Sequence, residues 1–200
     1  MKNDEFEKYL AKYYEAINKP ELTTEQLTNI AGELVDNISL FDADELDSYY
    51  YCPILNKIFD ELLTRGIDLN LNIDENPVAC CIWIPNKDIA VMLMKKFLEH
   101  GANPNLYIDC DLNTIYDTLC AYLLYDIYRH KVFIYMWLLF LAYGGDQFKG
   151  YGPAMKEGYD ISIFKNIERY DFCISIVDSN NDHNVVYIYD KKTQLVVGCF

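Results

Sequence analysis

Apolar residues recur in this chain as two pairs four positions apart, followed by a glycine three positions later, and the pattern occurs three times. Two apolar pairs at this spacing form one face of a helix, and glycine closes a helix because it adopts a left-handed backbone at little cost. The pattern therefore predicts three helices of one design. Their apolar pairs and glycines are Ile58-Phe59, Leu62-Leu63 and Gly66; Leu93-Met94, Phe97-Leu98 and Gly101; and Met136-Trp137, Phe140-Leu141 and Gly144.

Turn-forming residues follow each glycine. Asp68, Asn103 and Asp146 come two positions after the glycines, and Asn70 and Asn105 come four positions after the first two. Such residues favour tight turns because their side chains bond the nearby backbone. The glycines lie 35 and then 43 residues apart, as expected of a helical unit that covers its apolar face by stacking on copies of itself. An irregular helical bundle in which three helices end at glycine is the alternative.

The second copy reads Leu98-Glu-His-Gly-Ala-Asn-Pro-Asn105. This stretch resembles the inner end of an ankyrin repeat, and the resemblance covers roughly Tyr49 to Phe148. Where the ankyrin pattern opens its first helix with Thr-Pro-Leu-His, this chain has Asn76-Pro-Val-Ala-Cys80 and Asn113-Thr-Ile-Tyr-Asp117. The second spacing, of 43 residues, is also about ten residues longer than an ankyrin repeat. The resemblance is to a degenerate form of the repeat, and it implies a solenoid of stacked helical hairpins.

Two further helices are predicted ahead of the repeats. Residues 4–18 carry apolar side chains at helical spacing until Pro20 ends the pattern. Thr23 and Gln26 form a capping box before a second apolar face that reaches Ile38. Neither helix ends in the glycine and turn of the repeats. We therefore predict that both belong to an N-terminal cap that covers the exposed end of the stack.

The last part of the chain changes from helical to strand patterns. A long helix is predicted from Thr114 to about Tyr128, and glycines after Gly144 mark a loop. Branched and aromatic residues then predict three short strands that form an antiparallel β meander; these are Phe172–Val177, Val185–Tyr189 and Leu195–Phe200. The predicted fold is mainly α, in a single domain over residues 1–200. Its parts are the helical cap (1–48), the ankyrin-like repeats (49–148), and the loop and β meander (149–200).

The composition is that of a folded, acidic protein, with 52% apolar residues and a net charge of −14. Nucleic-acid phosphates attract clustered Lys and Arg, so this charge argues against a nucleic-acid partner. The longest apolar run, Val132 to Tyr143, has twelve residues, whereas a membrane span needs about twenty. No secretory signal is recognisable. The seven cysteines lack zinc or disulfide-framework spacing, so we expect reduced thiols in a cytoplasmic protein.

The turns at residues 67–77 and 102–113 are the first candidate for a partner-binding surface. In an ankyrin-like stack they project as fingers, and an aromatic residue among carboxylates suits contact with a basic protein. Ordinary solvated loop charge is the alternative interpretation. The predicted contact residues are Asp74, Glu75, Tyr107, Asp109 and Asp111.

The second candidate surface is the acidic stretch Asp42-Ala-Asp-Glu-Leu-Asp47. It lies within the first fifty residues, which hold twelve acids against four lysines. Acids also favour helix N-termini, where they meet the positive end of the helix dipole. This stretch is therefore interpreted either as a helix start or as a contact patch for a basic partner.

No motif for catalysis, metal binding or cofactor binding is present. The sequence Asp109-x-Asp111-x-Asn113 begins like a calcium loop, but it has Thr114 where glycine is needed and Cys120 where glutamate is needed. The three histidines lie in no nucleophile motif, and no phosphate-binding or dinucleotide-binding loop occurs. We therefore expect no catalytic residues, no bound metal and no cofactor.

Small acidic proteins with degenerate ankyrin-like repeats resemble bacterial immunity proteins, which bind and block a toxin. The stretches Tyr170-Asp-Phe-Cys-Ile174 and Val186-Tyr-Ile-Tyr-Asp-Lys-Lys-Thr193 also look like the tail of such proteins. The resemblance implies a protein-binding module that neutralises a cognate toxin. If the acidic surface of this chain is the binding surface, the toxin has a basic domain. The alternatives are an intracellular scaffold or adaptor, and an enzyme without a recognisable motif.

Overall fold

The computed structural model describes residues 2–42, 45–73, 76–107, 114, 119, 131–145, 161–178, 183–194 and 196–199. It is mainly helical with a small antiparallel sheet. The helices are α1 (Lys2–Ile17), α2 (Thr24–Ser39), α3 (Ser48–Thr64), α4 (Pro77–Cys80), α5 (Lys87–Glu99) and α6 (Lys131–Ala142). The strands are β1 (Tyr170–Asp178), β2 (His183–Asp190) and β3 (Val196–Cys199). Two 3₁₀ segments, Cys81–Trp83 and Ile161–Arg169, follow α4 and precede β1.

Polar side chains fix the starts of four helices. The predicted capping box of α2 is confirmed, because Gln26 N donates to Thr23 Oγ1 at 3.2 Å and Thr23 N donates to Gln26 Oε1 at 3.0 Å. Asp47, Asn76 and Asn86 accept backbone N–H groups at the starts of α3, α4 and α5. Each cap satisfies donors that the first turn of a helix leaves without a partner.

Glycines end α3, α5 and α6 as predicted. Gly66, Gly101 and Gly144 have φ of +88°, +90° and +96°. At each of these ends, the glycine N–H donates to the carbonyl three residues back, and the next N–H donates to the carbonyl five residues before it. This is the Schellman arrangement, in which a left-handed residue lets the chain satisfy the last carbonyls of the helix. The three helices therefore end in the same way.

The glycine-ended helices are neighbours in space. α3 packs on α5 and α5 packs on α6, and the Phe59 and Phe97 rings meet edge to face with centroids 5.2 Å apart. Asn70 Nδ2 donates to the Gly101 carbonyl at 3.1 Å, and Asn105 Nδ2 donates to the Gly144 carbonyl at 2.9 Å. The two asparagines thus do more than form turns, because each ties the turn after one helix to the end of the next.

A second set of contacts involves the N-terminal helices. α1 packs on α2, and α2 packs on α4 and on the 3₁₀ turn that follows it. Thr28, buried in α2, accepts a hydrogen bond from Asp68 N at 2.9 Å. α2, which was predicted to be part of the cap, therefore lies beside α4 much as α3 lies beside α5.

The C-terminal meander is confirmed as an antiparallel sheet in the order β1-β2-β3. Asp190, which is 3% exposed, closes the predicted turn after β2 by accepting from Lys192 N at 2.8 Å and Thr193 N at 3.2 Å. Arg169 Nε donates to the same carboxylate at 2.6 Å. This hydrogen bond from Arg169 lowers the pKa of Asp190 below its usual range.

Two features differ from the predictions. The 3₁₀ segment before β1 was not predicted; it is kinked at Asn166, and its buried Phe164 and Ile167 lie three residues apart, the period of a 3₁₀ helix. Thr114, predicted to begin a helix, instead pairs with Tyr107 in an antiparallel bridge. The rest of that predicted helix lies outside the described residues, apart from Leu119, which is helical and buried.

Replacing Gly101 with valine should lower the free energy of unfolding by about 1–2 kcal/mol, because a β-branched residue is strained at positive φ. A Cβ at this position has no heavy atom within 4 Å, so the cost is conformational and not a clash. Gly101→Asn is the matched control, since Asn tolerates the left-handed region, and it should cost less. Equal stability of Gly101→Val and wild type in urea unfolding would contradict the assigned cap.

Two groups at the start of α3 make the fold sensitive to alkali. Burial raises the pKa of Tyr51 to about 12, with a further contribution from Glu7, and burial raises the pKa of Cys52 to about 11, helped by Asp88. Their ordinary pKa values are 10.0 and 9.0, so in alkali the unfolded chain loses protons that the folded chain keeps. Stability is therefore fully present below about pH 9 and falls as the pH rises toward 12.

Urea unfolding at a series of pH values from 8 upward checks this dependence. Tyr51→Phe removes one of the two groups and should lose less stability than wild type above pH 10, the ordinary pKa of tyrosine. An identical loss in the variant and in wild type would show that Tyr51 does not contribute.

Candidate protein-binding surface

Of the five predicted contact residues on the fingers, the structure describes only Tyr107. Tyr107 is 46% exposed, and its bridge partner Thr114 is 3% exposed. The bridge holds the backbone of Tyr107 in place while its ring remains accessible. The other predicted contact residues lie outside the described residues; they are Asp74, Glu75, Asp109 and Asp111.

The second acidic stretch has a local structural role. Asp47 caps α3 by accepting from Tyr49 N at 3.0 Å, and Glu45 Oε2 accepts from Asp42 N at 3.0 Å. These bonds agree with the interpretation of the stretch as a helix start. They leave the carboxylate of Asp42 on the exposed surface, and Asp44 lies outside the described residues.

The connection between α2 and α3 lies against the start of α5. Asn86 Nδ2 donates to the Leu46 carbonyl at 2.8 Å in a buried hydrogen bond. Ser48 Oγ donates to Asp88 Oδ2 at 3.1 Å. These two bonds join two chain segments, and we call the surface formed by residues 40–50 and 83–88 the connection edge.

Large apolar side chains are concentrated on the connection edge. Tyr49 is 92% exposed, Leu40 68%, Tyr50 55% and Trp83 47%. Among the described residues only two other large hydrophobic side chains are classed as exposed, and these are Tyr14 and Tyr107. Scattered exposed apolar residues are normal, whereas a group of them on one surface indicates an interaction site.

One tyrosine of this group, Tyr50, packs on a buried neighbour. The Tyr50 ring meets the Tyr51 ring edge to face at 4.9 Å, and Tyr51, which is 1% exposed, meets Phe6 of α1 at 4.9 Å. The exposed tyrosines are therefore carried by a helix start whose other side is packed in the core. Tyrosine has only two side-chain torsions, so it loses little entropy when it binds a partner.

The same two chain segments carry an excess of carboxylates. The described carboxylates of the connection edge are Asp42, Glu45, Asp47 and Asp88, against one ammonium group, that of Lys87. This balance gives the surface a negative potential in a chain whose net charge is already −14. A surface of this charge attracts basic proteins and repels acidic ones.

Sequence reasoning identified the acids at positions 42 to 47 and missed Asp88 and the aromatic residues of this edge. The buried positions of α3 are Tyr51, Leu55, Ile58, Phe59 and Leu62. Tyr49 and Tyr50 fall outside that stripe, so the helical phase was a usable signal. Trp83 ends a three-residue 3₁₀ turn, which is too short to have an apolar stripe from which exposure can be predicted.

Within the described part of the chain, no group of three His, Cys, Asp or Glu side chains is arranged to hold a metal ion. Cys52 and Cys81 are free thiols. Burial raises the pKa of Cys52 to about 11 and that of Cys81 well above its ordinary value, so these two thiols stay protonated at neutral pH and are poor nucleophiles. His100 Nδ1 lies 2.8 Å from the Lys96 carbonyl at the end of α5, a contact that belongs to the helix end.

No described helix has both the length and the apolar character that a membrane span requires. No protein-family model matches the chain, and comparisons with curated proteins and with solved structures gave no significant match. The partner class is therefore inferred from the surface of the molecule itself.

Proposed function

We propose that this chain is a protein-binding module that associates with a basic protein through its connection edge. The observation that carries the proposal is the group of exposed Leu40, Tyr49, Tyr50 and Trp83 side chains among carboxylates. Aromatic residues supply most of the binding energy at many protein interfaces, and surrounding charges steer the partner and select it. A basic surface with apolar recesses has the matching chemistry.

The scaffold behind this edge is proposed to be an ankyrin-like solenoid. Two rows of helices support the proposal, with α2 beside α4 in one row and α3, α5 and α6 in sequence in the other. The repeated glycine ends and the asparagine links from one repeat to the next also favour it. In this arrangement α2 and α3 form one helical hairpin and α4 and α5 the next, so the cap at the N-terminus reduces to α1.

The more specific form of the proposal is a cytoplasmic immunity protein that neutralises a basic toxin. Its support is the acidic net charge of −14, the exposed edge, and the sequence resemblance to immunity proteins. A toxin inhibitor needs rapid and tight association. Opposite charge on the two proteins raises the association rate, and buried aromatic anchors slow dissociation.

An adaptor that holds two proteins is the second candidate function. Tyr107 lies shortly after the C-terminal end of α5, whereas the connection edge contains the N-terminal end of this 13-residue helix. A helix of this length spans about 20 Å, so the two exposed surfaces are well separated. This separation favours an adaptor over a single-partner inhibitor if both surfaces bind.

A growth-rescue experiment tests the toxin-immunity proposal. The genes next to that of this chain are first identified, and we expect one of them to encode a secreted protein with a C-terminal toxin domain. That gene is expressed in a bacterial host, with and without this chain. We expect the toxin domain to arrest growth, the chain to restore it, and the two purified proteins to form a complex. A toxin domain that arrests growth equally in both strains and forms no complex with the chain would contradict the proposal.

A further inference from the structure

A cleft of about 440 Å³ crosses the face of α5 that points away from the core. Half-buried Val91 and Met92 contribute its apolar surface, and Ile167 also lines it but is only 1% exposed. Four of the 17 Lys and Arg residues of the chain line it, against three carboxylates, those of Asp88, Glu99 and Glu168. These lysines are Lys87, Lys95, Lys96 and Lys191. The volume is in the range of pockets that hold small organic molecules, about 300–1,000 Å³.

Two of the lysines meet at one glutamate. Lys95 Nζ donates to both carboxylate oxygens of Glu168, at 3.1 and 3.2 Å. Lys191 Nζ donates to the main-chain carbonyl of the same residue at 3.0 Å. The Glu168 side chain is 66% exposed, whereas that of Lys95 is 23% exposed. The ammonium of Lys95 is therefore held in the cleft wall, and the carboxylate that neutralises it has room to swing into solvent.

The local field at Glu168 favours an anion. Partial burial raises the pKa of this carboxyl, but its backbone hydrogen bond and the neighbouring Lys95 lower it by more, and Lys191 adds to the lowering. The net direction is downward. The position of the Glu168 carboxylate is thus one where negative charge is stabilised, independently of which group carries it.

The opposite end of the cleft also holds a fixed cation. Lys87 Nζ lies 4.1 Å from the centroid of the Tyr135 ring. Tyr135 is 3% exposed, and its hydroxyl donates to Asp171 Oδ1 at 3.0 Å. In the described part of the chain Lys87 forms no salt bridge, whereas Lys96 pairs with Asp60. Lys87 therefore adds positive potential at this end without a salt bridge to any described carboxylate, although Asp88 lines the same cleft.

We infer that this cleft binds a small organic anion with an apolar body. Its carboxylate, phosphate or sulfonate group takes the place of the Glu168 side chain beside Lys95 and Lys191. Its apolar body lies on Val91 and Met92. Glu168 occupies the anion position when no ligand is bound, and its carboxylate is displaced on binding. This inference does not depend on the proposed partner of the connection edge.

Titration with 8-anilinonaphthalene-1-sulfonate, an anion with an aromatic body, tests the inference through its fluorescence. We expect saturable binding of one molecule per chain. Glu168→Gln removes the competing carboxylate and should tighten binding by about threefold to tenfold, because hydrogen bonds to a charged group are strong. Glu99→Gln is the matched control, since Glu99 lines the same cleft on α5 and makes no contact with Lys95; it should change affinity by less than about twofold.

Two lysine variants complete the test, with thermal unfolding as a check that each variant is folded. Lys95→Gln should weaken binding by about fivefold or more. Lys12→Gln on α1, far from the cleft, should leave the affinity for the probe unchanged. The inference would be overturned if the probe does not bind. It would also be overturned if Glu168→Gln and Glu99→Gln change the affinity equally, or if Lys95→Gln and Lys12→Gln do. Displacement of the probe by a glutamate-rich peptide, but not by a small aromatic carboxylate, would assign the cleft to a protein segment and also overturn it.

Discussion

Replacing Phe97 with alanine is expected to lower the free energy of unfolding by about 3–5 kcal/mol. Phe97 is fully buried in α5, and its ring meets Phe59 of α3 at 5.2 Å. Its carbonyl accepts the Ala102 N–H at 3.0 Å in the glycine-ended cap. Alanine would leave a cavity between two neighbouring helices, beside the glycine-ended cap of α5. Because α5 also packs on α6, we expect the loss of packing to weaken the contact of α5 with α6 as well.

Urea unfolding of three variants measures this effect. Phe97→Leu keeps most of the apolar volume and should cost less than half as much. Trp83→Ala removes an aromatic side chain that is 47% exposed, and it should change stability by less than about 1 kcal/mol. A cost below about 1 kcal/mol for Phe97→Ala would mean that α3 and α5 do not share a tightly packed core.

Truncating Tyr49 to alanine is expected to weaken binding of the basic partner by about thirtyfold, the loss that corresponds to an interface hot spot. The Tyr49 side chain is 92% exposed, so the substitution should leave the stability of the free protein nearly unchanged. The loss should appear mainly as faster dissociation, because a packed anchor chiefly affects the dissociation rate. Surface plasmon resonance with the partner from the rescue experiment gives both rates.

Tyr107→Ala is the matched control, since it removes the same side chain from the finger surface. If Tyr107→Ala weakens binding and Tyr49→Ala does not, the partner binds the fingers as first predicted from the sequence. Equal and large losses in both variants would favour an interface that covers both surfaces.

Charge reversal separates steering from anchoring. Asp42→Lys on the connection edge should slow association severalfold while changing dissociation less. Glu61→Lys makes the same charge change near the other end of α3 and should have a smaller effect. The difference in association rate between Asp42→Lys and wild type should shrink as salt shortens the Debye length, which is about 8 Å at physiological ionic strength. An association rate that is insensitive to salt would contradict electrostatic steering.

Features that depend on local chemistry were predictable from the sequence. Gly66, Gly101 and Gly144 end helices because a left-handed residue is needed at these points, and Thr23 with Gln26 begins α2 through bonds within one turn. The strands of the meander were predictable from their branched and aromatic residues. In each case the determining contacts span only a few residues.

Features that depend on distant contacts were not predictable. Asn70 was recognised as a turn former, but its bond to the Gly101 carbonyl joins residues 31 positions apart. The packing of α2 on α4 likewise depends on which apolar faces meet in the folded chain. Glu168, which meets Lys95 across 73 positions, gave no local signal for the lysine-lined cleft.

The candidate surface was predictable only in its charge. The acids at positions 42 to 47 were identified because charge can be counted along the chain. The exposure of Tyr49 and Trp83 depends on the orientation of α3 and of a short 3₁₀ turn against the core. The sequence therefore predicted a contact surface at the acids around Tyr107 and gave no indication of the exposed aromatic residues at the start of α3.

Hydrogen–deuterium exchange of this chain, alone and bound to the basic partner, tests the central claim most directly. If the connection edge is the binding surface, backbone amides in residues 40–50 and 83–88 should exchange more slowly in the complex, while those near Tyr107 should be unchanged. Slower exchange confined to residues 102–107, or no change at the connection edge in a saturated complex, would contradict the account.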